Sequence, residues 1–574
     1  MTKAFVAPTR RQINLIVFAL MVGMFLAALD QMVVATAIRT IGDDLHGLTL
    51  QAWVTTAYMI AATISTPLYG KLSDMFGRKP LYITALGLFI LGSALSATAT
   101  SMYQLAAYRG VQGAGAGGLM ALAIMILGDL LSPRERTKYQ AAFFGVWGIS
   151  SVLGPVIGGF FAGATSILGV AGWRWIFLIN VPLGAVALVL IIRVLHVHHM
   201  GRGQQRVDWW GVAALTLGII PLLTVLERGN GWGWTSQTSL ALFTASVVGF
   251  ALFYLAERVA GDDALLPLRM FRNRTVAVST TVNFIMGFGM FGGLAGIPLY
   301  LQISRGMSPT HAGLAMLPFT VGIGIVATAS TIVIRKTGHY KWIPVTGVFL
   351  MLVGVALLSR IQYDSPLWKV FGAAVIFGGG LGALMQPLML AVQNALSPRD
   401  NGAGTASVMF FRQIGGSLGT AVFLSLLFSN VQTKIANAFK AAAQTPAFLQ
   451  AIRDPAVNVP GSTNAAVIAA VTSGDPTQLQ SSGISLNDTS FIHNLAPQLA
   501  APFQIGFAQA IAGVMLVAGA FIVVGFVAIF FLPSLPLKEK SGLQAMADEA
   551  EEIAGVSHKG ADAEAGEQMA VPLG

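Results

Sequence analysis

The sequence predicts an all-α polytopic membrane protein. Of its 574 residues, 55% are hydrophobic and only 10% are charged, and the mean hydropathy is +0.71. Apolar stretches recur along the chain at about 20 residues each, the length that a helix needs to cross a hydrocarbon core of roughly 30 Å. The alternating pattern of barrel strands is absent, so the spans are predicted to be helices, whose backbone hydrogen bonds are all internal.

About fourteen apolar stretches follow one another, and each is predicted to be a transmembrane helix. They lie near residues 13–38, 52–70, 81–100, 105–127, 139–164, 173–195, 209–227, 238–257, 275–301, 312–334, 343–359, 367–393, 405–430 and 503–532. The first follows Lys3, Arg10 and Arg11 in the manner of a signal peptide, but its apolar run is too long for one. We therefore expect it to remain as the first span.

Basic residues alternate in density between successive loops, and loops rich in them stay on the cytoplasmic side. The rich segments lie around Lys3, Arg78, Arg134, Arg202 and Arg269, whereas 98–104 carries no basic residue. An even number of spans then places both termini in the cytoplasm. The formal net charge of +10 is therefore expected to reflect topology and lipid contact, and no nucleic-acid partner is predicted.

One connection is much longer than the others. Residues 431–502 separate the last two spans and are predicted to face the outside. A loop of this length is rarely structureless throughout, and its Ala-rich start, near Ile435 to Ile452, predicts an extension of the preceding helix. Two roles stay open for this loop: a tolerated insertion, or docking of an extracytoplasmic partner and gating of substrate.

Catalytic and cofactor sites are not indicated by any motif. The chain lacks the G-x-x-x-x-G-K-[ST] loop of nucleotide-driven pumps, and its Gly113-Ala114-Gly115 lies mid-helix rather than after a strand. The histidines at 196, 198 and 199 sit at a helix end, where solvation explains them better than a metal. The absence of cysteine excludes disulfides and thiolate chemistry. No metal or cofactor is predicted, and translocation is the chemistry that remains.

Residues 148–159 combine four glycines and a proline inside an apolar run. Glycines on one helix face allow two helices to approach closely, and a proline distorts the helix beside them. The predicted hinge consists of Gly148, Gly154, Pro155, Gly158 and Gly159. Alone this pattern is weak, because small residues are common wherever membrane helices pack.

Five motifs in order carry a family resemblance. The loop Gly70-Lys71-Leu72-Ser73-Asp74-Met75-Phe76-Gly77-Arg78-Lys79, span 4 with Arg109 and Gln112, and the run 148–159 resemble patterns of the major facilitator superfamily. Leu29-Asp30-Gln31 and the segment from Trp173 and Arg174 to Asn180 and Gly184 are similar to its fourteen-span drug:proton antiporter branch.

The resemblance implies two six-helix bundles that rock about a central cavity. The bundles comprise residues 1–200 and 263–532, the second including loop 431–502; an inserted helix pair occupies 201–262, and 533–574 forms a disordered acidic cytoplasmic tail. Residues 335–341 look like a worn copy of 74–80, as an internal repeat leaves. We expect a monomer in a bacterial inner membrane.

Asp30 is the one carboxylate that the sequence places well inside a span. An ionisable residue in lipid is unfavourable enough to indicate function. Counting the helical rise from each end places Asp30 and Arg109 at matching depths in the outer half of the membrane. We predict that Asp30 binds the transported proton and that Arg109 modulates it. A static ion pair that holds spans 1 and 4 together is the alternative.

A second set of charges indicates a cytoplasmic gate. Its residues are Gly70, Asp74, Gly77, Arg78, Lys79 and Asp129. Asp74 is predicted to lie at the start of span 13 near Thr405, because a carboxylate stabilises a helix N-terminus. Arg78 is predicted to pair with Asp129. Charge that only sets topology is the alternative. The resemblance implies a structural or latch role for Trp173, Arg174 and Arg412.

Substrate contacts are the least determined part of the sequence. The candidate cavity residues are Gln31, Gln112, Asn180, Asn283, Phe284, Tyr300, Gln302, Gln386 and Gln393. A hydrogen bond to a neighbouring helix is an equal alternative for Asn180, Asn283, Gln302, Gln386 and Gln393, as core packing is for Phe284 and Tyr300. Spans 9 to 13 carry no internal acid, which favours lipophilic compounds that are neutral or singly positive. The resemblance thus implies proton-driven export of such compounds, without enzymatic activity. Export of lipids or envelope precursors, and a membrane sensor or assembly partner that transports nothing, are the alternatives.

Overall fold

A computed structural model describes residues 9–45, 51–195, 207–307, 309–397, 400–473 and 489–537. The acidic tail from 538 onward, the first eight residues and the histidines at 196, 198 and 199 lie outside the described residues. The described chain is helical, apart from one antiparallel hairpin of β1 (Ser166–Ile167) and β2 (Val170–Ala171) in which Ser166 pairs with Ala171.

The helices alternate in direction along the chain. The first half contains α1 (Arg10–Asp44), α2 (Gln51–Phe76), α3 (Arg78–Ala97), α4 (Met102–Leu130), α5 (Pro133–Gly163), α6 (Trp175–Leu178), α7 (Asn180–Val194), α8 (Trp209–Trp232) and α9 (Gln237–Ala260). The second contains α10 (Arg274–Leu299), α11 (Pro309–Leu314), α12 (Leu317–Thr337), α13 (Trp342–Leu358), α14 (Leu367–Ala395), α15 (Asn401–Ala442), α16 (Pro446–Arg453), α17 (Thr463–Ser473) and α18 (Pro497–Ile529).

These eighteen described helices make fourteen passages, as the hydropathy predicts. The number follows when α6 is counted with α7 and α11 with α12, and when α16 and α17 are left out as parts of one connection. In the described chain, ten helical segments are long and apolar enough to cross a membrane, and two of them combine α6 with α7 and α11 with α12. The chain is therefore a multi-pass membrane protein.

Local sequence sets several helix ends. Ser101 and Ser132 accept hydrogen bonds from the backbone N–H groups of Gln104 and Glu135, which caps the starts of α4 and α5. Gly77 separates α2 from α3 with a φ of 93°, a backbone conformation that favours glycine. The sharp corner in the Gly70–Lys79 motif therefore requires this glycine.

The two ends of the molecule pack differently. We call the end that carries Arg78 and Arg269 the basic end, and the opposite end, which carries the long 431–502 connection, the loop end. At the basic end one apolar core joins both halves, because Met389, Val392 and Ala406 pack with side chains of α1, α3 and α4. Toward the loop end, the core of the first half contains no described residue of the second half. The halves are thus closed together at the basic end.

The inserted pair lies across the seam between the two halves. Leu215, Ile219 and Leu223 of α8 share an apolar cluster with Ile60 of α2 and Phe410 of α15. α9 packs on α8, where Ser246 Oγ donates to the carbonyl oxygen of Gly218 at 2.8 Å. Since α2 and α15 belong to different halves, α8 contacts both of them.

The long connection is partly folded. α15 continues to Ala442, as the Ala-rich sequence predicts, and α16 follows it directly. Phe439, Phe448, Phe491 and Phe503 form edge-to-face ring pairs with centroids 5.0 to 5.9 Å apart. These aromatic residues join the connection to α18 in the apolar core of the second half.

Candidate functional site

Asp30 of α1 and Arg109 of α4 form a buried ion pair, as their matching depths predict. Each residue is only 1% exposed. Arg109 Nη1 donates to Asp30 Oδ2 and also to Gln112 Oε1, the latter at 2.7 Å. The guanidinium carbon lies 4.1 Å from the ring centroid of Tyr58 on α2, a distance at which a cation is attracted to an aromatic face.

The second carboxylate oxygen is held by two amides. Gln112 Nε2 and Asn180 Nδ2 donate to Asp30 Oδ1 at 2.9 and 3.0 Å, and Asn180 Nδ2 also donates to Ser93 Oγ at 3.1 Å. We call Asp30, Tyr58, Ser93, Arg109, Gln112 and Asn180 the Asp30 cluster. It joins α1, α2, α3, α4 and α7. A buried ion pair requires such additional hydrogen bonds, and they serve both oxygens of Asp30, whereas Arg109 Nε has no hydrogen-bond partner among the described residues.

Two members of the Asp30 cluster were not predicted. Tyr58 and Ser93 lie in apolar spans without any motif that singles them out. Their proximity to Asp30 arises only because α2 and α3 pack on α4 through its glycines. A Cβ atom at Gly115 would meet Phe89 of α3, and one at Gly113 would meet the backbone of Tyr58.

The predicted hinge glycines do not all face the same way. A Cβ atom at Gly154 would collide with Met32, and one at Gly158 would collide with Thr36 Oγ1 and lie 2.8 Å from the carbonyl oxygen of Val33. The close approach of α5 to α1 thus runs through Gly154 and Gly158, next to Asp30 along α1. Gly148 instead faces Thr320 of α12 at 3.2 Å, and Gly159 has nothing within 4 Å.

This difference between neighbouring glycines gives a matched test. Gly158→Ala is expected to force α5 away from α1 and to lower the stability of the protein by about 1–3 kcal/mol, as overpacking does. Gly159→Ala adds the same methyl group where there is space and is expected to leave stability unchanged. Thermal unfolding of both purified variants measures the difference, and equal midpoints would show that the α1–α5 contact tolerates expansion.

The second set of charges forms a buried gate cluster at the basic end, which we define as Ser73, Asp74, Arg78 and Asp129. Arg78 Nε donates to Asp129 Oδ2 at 2.7 Å, Nη2 lies 2.8 Å from Asp74 Oδ1, and Nη1 donates to Ser73 Oγ. The pairing of Arg78 with Asp129 is the one that the sequence predicts.

The gate cluster contacts the other half of the molecule. A Cβ atom at Gly402 would collide with the Asp74 carboxylate, so this carboxylate lies at the first turn of α15, about one turn before Thr405. Backbone N–H groups are unpaired there, and a negative charge is stabilised. A Cβ atom at Gly70 would lie 2.7 Å from that of Ala406, so the two halves are in close contact here.

A buried acid of the inserted pair also lies near this loop. Glu257 of α9 accepts hydrogen bonds from the backbone N–H groups of Leu265 and Leu266 at 3.2 and 2.8 Å. Its carboxylate interacts electrostatically with Asp208 and with the buried Lys71 of the Gly70–Lys79 motif. Sequence reasoning missed Glu257, because an acid near a helix end is normally solvated.

The residues predicted to be structural are found in different surroundings. Trp173 Nε1 donates to Asp44 Oδ2 at 2.8 Å, and Arg174 Nη1 donates to the carbonyl oxygen of Ala97 at 2.6 Å, which fastens the loop end of the first half. Lys79 Nζ donates to the carbonyl oxygen of Ile192 on α7 at 2.7 Å. In the described part of the chain, the half-buried side chain of Arg412 has no hydrogen bond or ion pair.

The buried candidate cavity residues have different hydrogen-bond partners. Gln112 and Asn180 belong to the Asp30 cluster, and the others with buried polar groups bond to near neighbours. Asn283 donates to the carbonyl oxygen of Ser279, Gln393 donates to Thr405 Oγ1, and Tyr300 donates to the carbonyl oxygen of Gln362. Gln386 Oε1 accepts from the hydroxyl of Thr331. Gln31, Phe284 and Gln302 are half-buried and keep accessible surface.

Comparisons with known proteins agree with this architecture. Multidrug transporter protein MdtP of Bacillus subtilis (strain 168) is 34% identical over 407 residues, which cover 71% of this chain and 74% of that protein. Multidrug resistance protein 3 of the same organism is 34% identical over 426 residues, 74% of this chain and 81% of that protein. A solved structure of a double Trp mutant of XylE shares the fold, with a TM-score of 0.56 over 94% of this chain and 99% of that chain at 15% identity.

A family model described as Major Facilitator Superfamily matches residues 20–420, a range that includes the Asp30 cluster, the gate cluster and the glycine contacts of α5. The match extends over well more than half of the sequence, and the chain therefore belongs to the major facilitator superfamily.

Proposed function

We propose that this transporter is a proton-coupled exporter of lipophilic small molecules that are neutral or singly positive. The observation that carries the proposal is the Asp30 cluster. The Asp30 carboxylate is 1% exposed inside a bundle of apolar helices, where a charge is energetically unfavourable. An ionisable residue that is kept in such a place indicates a functional site. The relatives named as multidrug transporter and multidrug resistance protein support the substrate class.

The distribution of buried acids supports substrates with no more than one positive charge. The buried carboxylates of the described chain are Asp30, Asp74, Asp129 and Glu257, and all of them lie in the first half or the inserted pair. Asp74 and Asp129 are paired with Arg78, and Glu257 bonds to backbone amides. A site in the second half therefore lacks a buried acid with which to neutralise a second positive charge.

The charged end supports an orientation of the molecule in the membrane. Lysine and arginine near Arg78 and Arg269 favour the cytoplasm for the basic end by the positive-inside rule. With both halves packed together there, the arrangement fits a state that has closed toward the cytoplasm and releases substrate on the opposite side. Alternating access would then require the gate cluster and the α2–α15 contact at Gly70 to separate. We place the protein in a bacterial inner membrane, with both termini in the cytoplasm.

Substrate-driven proton release tests the proposal. The full chain is reconstituted in vesicles, a lipophilic monocation such as tetraphenylphosphonium is added, and proton movement is followed with a pH-sensitive dye. We expect release from the wild type and none from Asp30→Asn, because an amide binds no proton in this pH range. Asp364→Asn, which neutralises an exposed loop acid, is the matched control and should behave as wild type.

Two results would contradict the proposal. Equal proton release from wild type and from a folded Asp30→Asn variant would mean that coupling lies elsewhere. Absence of proton release from the wild type with tetraphenylphosphonium and with neutral lipophilic dyes alike would exclude proton-coupled export of this substrate class.

A further inference from the structure

Only the nitrogen of the Asn180 side-chain amide makes hydrogen bonds among the described residues. Its Nδ2 group donates to both Asp30 Oδ1 and Ser93 Oγ. Its Oδ1 is buried and has no hydrogen-bond partner among the described residues. Buried polar atoms are almost always paired, and an exception therefore requires an explanation.

The surroundings of Asp30 contain donors for its charged form. Arg109 donates to Oδ2, and Gln112 and Asn180 donate to Oδ1. A protonated carboxyl group is itself a donor and needs an acceptor. Gln112 Oε1 already accepts a hydrogen bond from Arg109, whereas Asn180 Oδ1 accepts none. The Tyr58 hydroxyl is also buried without a hydrogen-bond partner in the described chain, but the Tyr58 ring lies against the guanidinium of Arg109. Asn180 holds an unused acceptor on the same amide that already bonds to Asp30 Oδ1.

We propose that Asn180 is a positioning residue that transmits the protonation of Asp30 to α3 and α7, an inference that rests on the proposed function. When Asp30 Oδ1 binds a proton, the amide turns by about 180° around its terminal torsion, which is broad and two-fold. Oδ1 then takes the position of Nδ2 and accepts hydrogen bonds from the new Asp30 O–H and from Ser93 Oγ–H. The proton stays on Asp30, and only hydrogen bonds are exchanged.

The exchange reaches the backbone through Ser93. In the structure Ser93 Oγ donates to the carbonyl oxygen of Phe177 at 2.9 Å. When it donates to Asn180 instead, it leaves this carbonyl, which lies just before the break between α6 and α7. At its other end α7 accepts the hydrogen bond of Lys79 through Ile192, and Lys79 is the neighbour of Arg78. A shift of α7 thus reaches Lys79, the sequence neighbour of Arg78.

Few other titratable side chains lie next to Asp30 in the described part of the chain. Among the described residues, α4 contributes Arg109 and α2 contributes Tyr58. The side chains that α3 and α7 present to the cluster, Ser93 and Asn180, are neutral, and α5 approaches α1 through glycine. A pH-dependent movement that is lost in Asp30→Asn is therefore assigned to Asp30 itself.

Cysteine labelling tests this transmission. The chain has no cysteine, so Ala403→Cys places a single thiol in the apolar core that closes the basic end. The full chain in lipid nanodiscs is labelled with a maleimide at acidic and alkaline pH, and each rate is divided by that of the unfolded protein. We expect this labelling ratio to differ between acidic and alkaline pH in the Ala403→Cys protein. The difference should disappear when Asp30→Asn is added.

The decisive comparison is between two amides that donate to the same oxygen. Asn180→Leu is expected to reduce the change of the labelling ratio with pH on the order of tenfold, an effect that the loss of a buried hydrogen bond can have. Ser93→Ala, a smaller change that does not touch Asp30, should do the same. Gln112→Leu also removes a donor to Asp30 Oδ1, but it removes no unused acceptor. In this variant the labelling ratio should still depend on pH, and only the pH at the midpoint of the change should shift.

Failure of this inference is distinguishable from failure of the proposed function. If Asn180→Leu and Ser93→Ala keep the ratio, or if Gln112→Leu abolishes it equally, transmission through Asn180 is wrong even though wild-type proton release persists. If the wild type does not release protons with tetraphenylphosphonium and the Ala403→Cys protein shows no pH-dependent labelling ratio, the proposed function fails as well.

Discussion

Replacing Arg109 by leucine is expected to lower the free energy of unfolding by about 3–5 kcal/mol, the usual effect of removing one partner of a buried ion pair. The reason is that Asp30 would lose its counter-ion in an apolar bundle and keep only two amide donors, Gln112 and Asn180. Asp30→Asn is expected to be much milder, since a neutral amide needs no counter-ion. Denaturant titration of the purified variants in one detergent measures the difference.

The double variant separates stability from coupling. Asp30→Asn combined with Arg109→Leu removes both charges, so it is expected to recover most of the stability that Arg109→Leu loses. It should not recover substrate-driven proton release, because the proton site is gone. A double variant as unstable as Arg109→Leu alone would mean that Arg109 stabilises the bundle through Tyr58 and Gln112 rather than by compensating Asp30.

Replacing Arg78 by glutamine is expected to have the second large effect. Asp74 and Asp129 would lose their shared counter-ion while both remain buried, so the closed basic end should lose about 3–5 kcal/mol. We expect the basic end to open, because Asp74 contacts the first turn of α15 from the other half. The introduced thiol of Ala403→Cys should then react with maleimide much faster than in the Arg78 background.

Lys79→Gln is the matched control for this effect. Lys79 is adjacent to Arg78, but it donates only to a backbone carbonyl of the same half. It should change the labelling rate little. If Lys79→Gln accelerates labelling as much as Arg78→Gln does, the positive charge of the loop matters rather than the buried geometry of the gate cluster. Asp74→Asn and Asp129→Asn together with Arg78→Gln should restore slow labelling if charge compensation is the cause.

Some contacts were predictable because they depend on one helix at a time. The rise of each span from a known side fixes the depth of its residues, and Asp30 and Arg109 therefore meet as their depths predict. The same holds for Arg78 and Asp129, which both lie at the basic end. The depth of a residue does not reveal which neighbouring helix it faces, however. Gly158 and Gly159 were therefore predicted to be equivalent, although of the two only Gly158 contacts α1.

Other contacts depend on three or more helices at once. Asn180 was placed among the cavity residues, yet it is buried against Asp30 and Ser93. Gln386 and Gln393 were predicted either to line the cavity or to bond a neighbouring helix, and each has a hydrogen bond to a neighbouring helix or turn. Which partner a buried amide finds depends on how the helices pack, and the sequence does not specify that packing.

The sequence by itself determined the class of this protein, its helical passages, its charged end and the two arginine–carboxylate pairs. Composition and charge decide these properties, because lipid penalises every unpaired backbone group and every uncompensated charge. Only the tertiary structure decided that the halves close at the basic end, that α8 contacts both of them, and that Asn180 holds an unused acceptor beside Asp30. The reason is geometric: these properties depend on the rotation of each helix about its axis, which is fixed by the glycine contacts between neighbouring helices.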